Sequence, residues 1–271
     1  MKIKKKLIIA LLCALVGAGV LLLTLFVLPV VYESECRDRV FDDLAAKASS
    51  VRRSVIGIVP KTDNGGGSYT YGGGGGGVIF KQEDGVYYAL TAAHVVSSKK
   101  DTYRVITAAT DYTTVNDPAL KSAGIDVVSD SFYDSLAELK VEKVSPDIDL
   151  AVVSFRSDKE LACAELASDV SEGTRIVCMG YPDGRYITES YGTVTGKQNV
   201  VRMKSKGSDQ ESTETVTEHD AYLSFGSSGG PAFNEDMKLC GINIGGEFDR
   251  FEHFKTGYML SPEQIRTLTD S

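Results

Sequence analysis

From Val51 onward the chain is written in short β-rich runs, and this texture most limits what it can fold into. "SVIGIV", "GVIF", "VYYALTAAHVV", "YRVITAA", "DLAVVSF", "RIVCMG", "YGTVTG", "AYLSFG", "LCGINIGG" and "TGYML" are separated by Gly, Asp, Asn and Pro. Runs of β-branched and aromatic residues punctuated in this way predict many short strands in a sandwich or barrel. Only "SPEQIRTL" near the end starts like a helix, with Ser261 as a cap and Pro262 in its first turn. A chain of 271 residues makes one large domain or two small ones, and its 13 Tyr and 10 Phe can furnish a core without Trp.

The first residues read differently. Lys2, Lys4, Lys5 and Lys6 precede an uncharged apolar run from Leu7 to about Val31, long enough to cross a bilayer as a helix. The run continues past the small residues Ala14 to Gly19, so an uncleaved anchor is expected rather than a signal peptide. The lysines put residues 1–6 in the cytoplasm and the rest of the chain outside, a single-pass cell-membrane protein. Removing those four cations takes the net charge of −8 to −12 for the exported part. So acidic a domain disfavours nucleic acid or anionic lipid as its partner. Residues 32–50 are charged, with Val40, Phe41, Leu44 and Ala48 at helical spacing, and read as a short amphipathic stalk.

Two segments read as loops. "NGGGSYTYGGGGGG" (64–77) lacks the Lys-Ser/Thr of a phosphate loop and reads as a flexible connection. Residues 204–220 are polar and lead straight into the stretch "AYLSFGSSGGPAF", and 204–218 are expected to be mobile. Thr107 to Val144 reads as irregular, with a helix near "SFYDSLAEL". Cys36, Cys163, Cys178 and Cys240 match neither zinc spacing nor a C-x-x-C pair, so no metal site is expected, and Cys178 and Cys240 read as buried thiols.

The chemistry lies in three places. Acyl transfer by a serine needs a hydroxyl, an imidazole to take its proton, a carboxylate to hold that imidazole, and backbone donors for the oxyanion. "FGSSGGPAF" supplies serines among glycines, whose bare backbone lets another chain approach. Of three histidines, His219 and His253 sit in polar surroundings and read as surface residues, whereas His94 ends the apolar run "YYALTAAHVV". In "SPDIDLAVVSF", Asp149 stands at the mouth of an apolar strand, with Asp147 as the alternative carboxylate.

"TAAHVV", "DIDLAVV" and "GSSGGPAF", in that order, resemble the three signature blocks of trypsin-like serine peptidases. "DAYLSFGSSGGPAF" with "CGINIGG", and the turn "IVCMGYPDG", are closest to the HtrA/DegP-type bacterial branch. The resemblance covers residues 51–262, and nothing after Pro262 could house that branch's PDZ module. It implies an all-β fold of two packed antiparallel barrels, about 51–155 and 170–262, with a short tail at 263–271. It makes Ser228 the nucleophile, His94 the base, Asp149 its orienter, and the N–H groups of Gly226 and Ser228 the oxyanion hole. The implied activity is a cofactor-independent serine endopeptidase acting on proteins or peptides; a catalytically silent binding or scaffolding module is the alternative. Ser227 stands where digestive relatives carry an Asp, so activation through that ion pair is not available. Tyr222, six residues before Ser228, would lie at the base of the specificity pocket, walled by Asn243 and Ile244. A Tyr there implies cleavage after small aliphatic residues rather than Lys or Arg.

Overall fold

The computed structural model describes residues 41–110, 130–182, 186–204 and 211–270. The expected anchor at 7–31 lies outside them. Among the described residues no helix is long and apolar enough to cross a membrane.

Seven strands make the first sheet: β1 (Val55–Gly65), β2 (Ser68–Tyr71), β3 (Gly75–Glu83), β4 (Val86–Ala92), β5 (Asp101–Thr107), β6 (Ala137–Ser145) and β7 (Leu150–Arg156). Their order is β2-β1-β3-β4-β7-β6-β5. β1 pairs with β3 along one edge and, from Ile56 to Thr62, with β5 along the other, which closes β1-β3-β4-β7-β6-β5 into a ring. In β7, "LAVVSFR", every residue except Arg156 is buried. Period-2 alternation sends Ala151, Val153 and Phe155 into the core of this ring. Leu150 and Val152 face the other way and are still covered, which is why the strand reads as one apolar run.

The second barrel is closed outright. β8 (Arg175–Gly180), β9 (Thr188–Lys204), β10 (Glu211–His219), β11 (Pro231–Phe233), β12 (Leu239–Phe248) and β13 (Phe254–Leu260) follow the order β10-β13-β12-β11-β8-β9. Its core holds Ile176, Cys178, Val194, Ala221, Leu223, Ala232, Cys240 and Met259. Full closure removes the unpaired edges that would otherwise recruit other strands. The fold of the described residues is therefore all-β, as expected.

The helix Pro262–Thr269 packs on both β7 and β12. Ser261 and Gln264 form a reciprocal capping box, and Ile265 and Leu268 are buried beneath it. Each such aliphatic contributes about 1.5–3 kcal/mol on burial, so this helix helps tie the two barrels together.

Four local expectations change. Residues 211–219 are not a loop but strand β10, paired with β9 from Glu211↔Lys204 onward. "ESTETVTEH" carries β-branched Thr213, Thr215, Val216 and Thr217 among polar residues, so pairing partners, not overall polarity, decide its state. Gly75, Gly76 and Gly77 are the buried start of β3 rather than part of a flexible connector. The helix at "SFYDSLAEL" stops at Ser135, and the segment from Ala137 onward runs on as β6. Leu44 and Ala48 are buried, so that end of the 32–50 stretch belongs to the folded body. Cys163 is a free, exposed thiol; Cys178 and Cys240 are free and buried, as expected. Burial pushes the Cys178 thiol up to about 12 and raises Cys240 as well, which leaves both unreactive.

Candidate active site

β4 and β7 pair with Ala92 opposite Leu150. That register brings the residues just beyond each strand end together: the turn Ala93–Val96 on one side and Asp149 on the other. Asp149 follows the single turn Pro146–Ile148 in a left-handed conformation, φ 49° and ψ 43°. Asp tolerates this region better than most side chains. The conformation lets one residue grip the His94 turn three times. Its main-chain oxygen accepts from Ala93 N at 3.0 Å. Oδ1 accepts from His94 N at 2.8 Å, and Oδ2 lies 2.6 Å from His94 Nδ1. A carboxylate only accepts, so Nδ1 carries the proton and Nε2 is left with its lone pair as a base. The His94 side chain is 40% exposed and that of Asp149 16%, so the imidazole is reachable while its partner is shielded. Asp147 is exposed in the preceding turn and makes no hydrogen bond to His94.

The nucleophile loop is built almost wholly from main-chain bonds. Ser227 N donates to Ser224 O and Gly230 N to Ser227 O, each at 3.0 Å. Ser224 N donates to Ser227 Oγ at 3.2 Å, which spends the Ser227 hydroxyl on the loop itself. Ser228 Oγ has no such tie among the described residues. Gly226 has φ +94°, and a Cβ there would fall 2.6 Å from Tyr181 O, so no other residue fits. Among the described residues, Gly226 N and Ser228 N donate to nothing. Two unspent donors flanking a serine suit a developing oxyanion.

The first barrel reaches this loop through the glycines of β3. Gly76 N donates to Ser228 O at 2.7 Å, and a Cβ at Gly76 would lie 2.9 Å from Gly230 Cα. A Cβ at Gly75 would meet both Ser228 O and the Val95 side chain, so Ser228 and the neighbour of His94 converge on one point of β3. Sequence reasoning missed these glycines because a Gly run reads as a linker. Its signal was the apolar "VIF" that follows directly. Among the described residues no hydrogen bond joins Ser228 Oγ to His94 Nε2.

Tyr222 is 58% exposed, its ring edge-on to Phe254 at 5.4 Å, with Phe248 a further 5.7 Å along. Asn243 and Ile244 are buried. His253 is exposed beside Asp249, as expected, whereas His219, expected at the surface, is 0% exposed. The alternation of β10 turns it inward between Val194 and Gly257.

Residues 75–242, more than half of the chain, match the trypsin-like peptidase domain. The chain belongs to that family. Within it, the chain is 32% identical over 112 residues to a serine protease Do-like HtrA of Bacillus subtilis, covering 41% of this chain and 22% of that protein. It is 32% identical over 109 residues to human serine protease HTRA4, with coverages of 39% and 22%. The matched part thus spans about a fifth of these curated relatives. The active form of the Rv3671c protease from M. tuberculosis shares the fold at a TM-score of 0.57 and 18% identity, over 82% of each chain.

Proposed function

We propose that this trypsin-like peptidase family member is a membrane-anchored serine endopeptidase working outside the cytoplasmic membrane. Ser228 attacks the substrate carbonyl, His94 Nε2 takes the hydroxyl proton, and Asp149 holds the imidazolium that results. The N–H groups of Gly226 and Ser228 receive the oxyanion; the imidazolium gives its proton to the departing amine as the peptide C–N bond breaks, and water deprotonated by His94 then hydrolyses the acyl-enzyme ester and restores the Ser228 hydroxyl. The observation that carries this reading is the 2.6 Å Asp149–His94 link at the mouth of β4 and β7, together with a Ser228 loop that leaves the N–H groups of Gly226 and Ser228 unspent.

Substrates are proteins or peptides. Tyr222 offers no charge to pair with Lys or Arg, so cleavage after small aliphatic residues is preferred, with the Tyr222–Phe254 rings forming the apolar contact and Asn243 and Ile244 backing it from the interior. Residues 7–31 supply the anchor. Retention of the whole chain in the membrane after alkaline carbonate, and release when residues 1–31 are removed, would support that part.

A second reading rests on the absent bond between Ser228 Oγ and His94: a peptidase-like binding module whose site never assembles. In free enzymes such bonds often form only with substrate. A fluorophosphonate probe decides between the two. Labelling that Ser228→Ala abolishes supports the peptidase; folded protein that stays unlabelled supports the binding module.

A further inference from the structure

At the heart of the second barrel a polar side chain that the proposed function leaves unused, His219, meets Asn243, given above only a place behind the specificity contact. His219 ends β10 and Asn243 sits in the middle of β12, both at 0% exposure. His219 Nε2 lies 3.1 Å from Asn243 Oδ1, and Cys178 Sγ donates to the same oxygen at 3.7 Å. An amide oxygen only accepts, so the His219 proton sits on Nε2. The ring packs against Gly257, where a Cβ would fall 2.1 Å from His219 Cε1.

The pair is costly. Among the described residues, His219 Nδ1 and Asn243 Nδ2 are buried without a hydrogen-bond partner. Ala221 main chain and Asp220 lie near enough to favour a protonated ring, yet burial dominates and lowers the His219 pKa to about 4. Apolar residues of the same shape would fill this space without orphaned atoms, and such replacements are often neutral or stabilising. Stability does not account for the pair.

Its connections do. Asn243 N donates to Gly230 O at 2.9 Å, and Asn243 O accepts from Gly229 N at 2.7 Å. Those glycines directly follow Ser228. Just past Asn243 the pairing of β12 with β13 slips, between Asn243 and Gly245. A strand beside such an irregularity bends and twists more readily than one in a regular ladder. The residue that holds the nucleophile loop therefore stands next to a weak point, and the His219 bond ties it to β10, the strand on the far side of β13.

We propose that His219 is a positioning residue: through Asn243 it fixes the main chain of Gly229 and Gly230, and so aims Ser228. It touches no substrate. The idea rests on the serine-peptidase reading for its effect on rate, but its structural half can be tested without activity.

The test uses the whole chain with His219→Phe, which keeps the ring and removes the donor, and His219→Gln, whose amide nitrogen can reach Asn243 Oδ1. Amide hydrogen exchange at Gly229 and Asn243, fluorophosphonate labelling of Ser228, kcat and KM separately, and the melting temperature are measured. His219→Phe is expected to speed exchange at both amides and slow labelling, each by about 3- to 30-fold, through kcat rather than KM and with little change in melting temperature. His219→Gln should recover most of both losses. Unchanged exchange and labelling, changes that merely track a fall in melting temperature, or a Gln variant no better than Phe would each overturn the proposal. If His219→Phe does not fold, His219→Asn, whose amide is too short to reach, takes its place against Gln. If the wild type is never labelled, the peptidase reading falls, and Gly229 exchange alone decides whether His219 positions the loop.

Discussion

The two barrels each hold a histidine bonded to an oxygen, and the two pairs have opposite character. In the first barrel, His94 is 40% exposed and faces a carboxylate that grips its turn three times. Its partner occupies Nδ1, and the side chain is open to solvent. In the second, His219 is wholly buried and faces a neutral amide, with burial holding the ring uncharged. One ring is open and held by a carboxylate; the other is enclosed and kept neutral by burial. The same side chain becomes a base or a strut according to what its second nitrogen meets.

The sharpest way to break this contrast is to remove the reactive side of it. Ser228→Ala and His94→Ala are each expected to lower kcat by about five to six orders of magnitude, because triad members act as a unit. A loss of less than a hundredfold at His94 in a steady-state peptide assay would mean that the exposed histidine is not the base. Asp149→Asn should cost about 10⁴ by supplying the wrong partner for Nδ1, while Asp147→Asn should cost little. Equal losses at the two positions would break the assignment of Asp149 as the gripping carboxylate.

How far this could be read in advance differs by region. The strand texture, the helix after Ser261, and the order of the blocks around His94, Asp149 and Ser228 were all visible, because each depends on neighbours within a few residues. The inward turn of His219 was not, since a polar segment looks solvated until β9 and β13 are set against it. Nor was the place of Gly75 and Gly76 in the site: a glycine run says only that no side chain fits, and the close neighbour is more than 150 positions away, at Ser228. The left-handed turn at Asp149, which makes three contacts possible, also left no local mark beyond the Asp itself.

Smaller effects sharpen the comparison further. Gly226→Ala should cost about 10²–10³ in kcat, the scale of losing one oxyanion donor, because the strained residue must turn its N–H away. An unchanged kcat would place the oxyanion elsewhere. The buried histidine should announce itself in stability. Its pKa falls from an ordinary 6.5 to about 4 on folding, so the unfolded chain binds the proton first. Stability is then fully present above pH 6.5 and is lost as pH falls toward 4, by about 3 kcal/mol in total. Urea titrations across that range should show the loss, and His219→Phe should remove its share of the slope. A wild-type slope identical to that of His219→Phe would mean that this ring does not titrate on unfolding.

The bond from Gly76 N to Ser228 O carries one more consequence. The carbonyl of Ser228 is held by the other barrel, so half the molecule carries the proposed nucleophile and the other half helps to set its pose. Split between β7 and β8, the two pieces would each keep a nearly complete strand set, yet chemistry would return only on reassociation, with second-order dependence on fragment concentration. Reactivity in this chain is thus a reporter of docking: it registers whether the halves are together before any unfolding of either one could be seen.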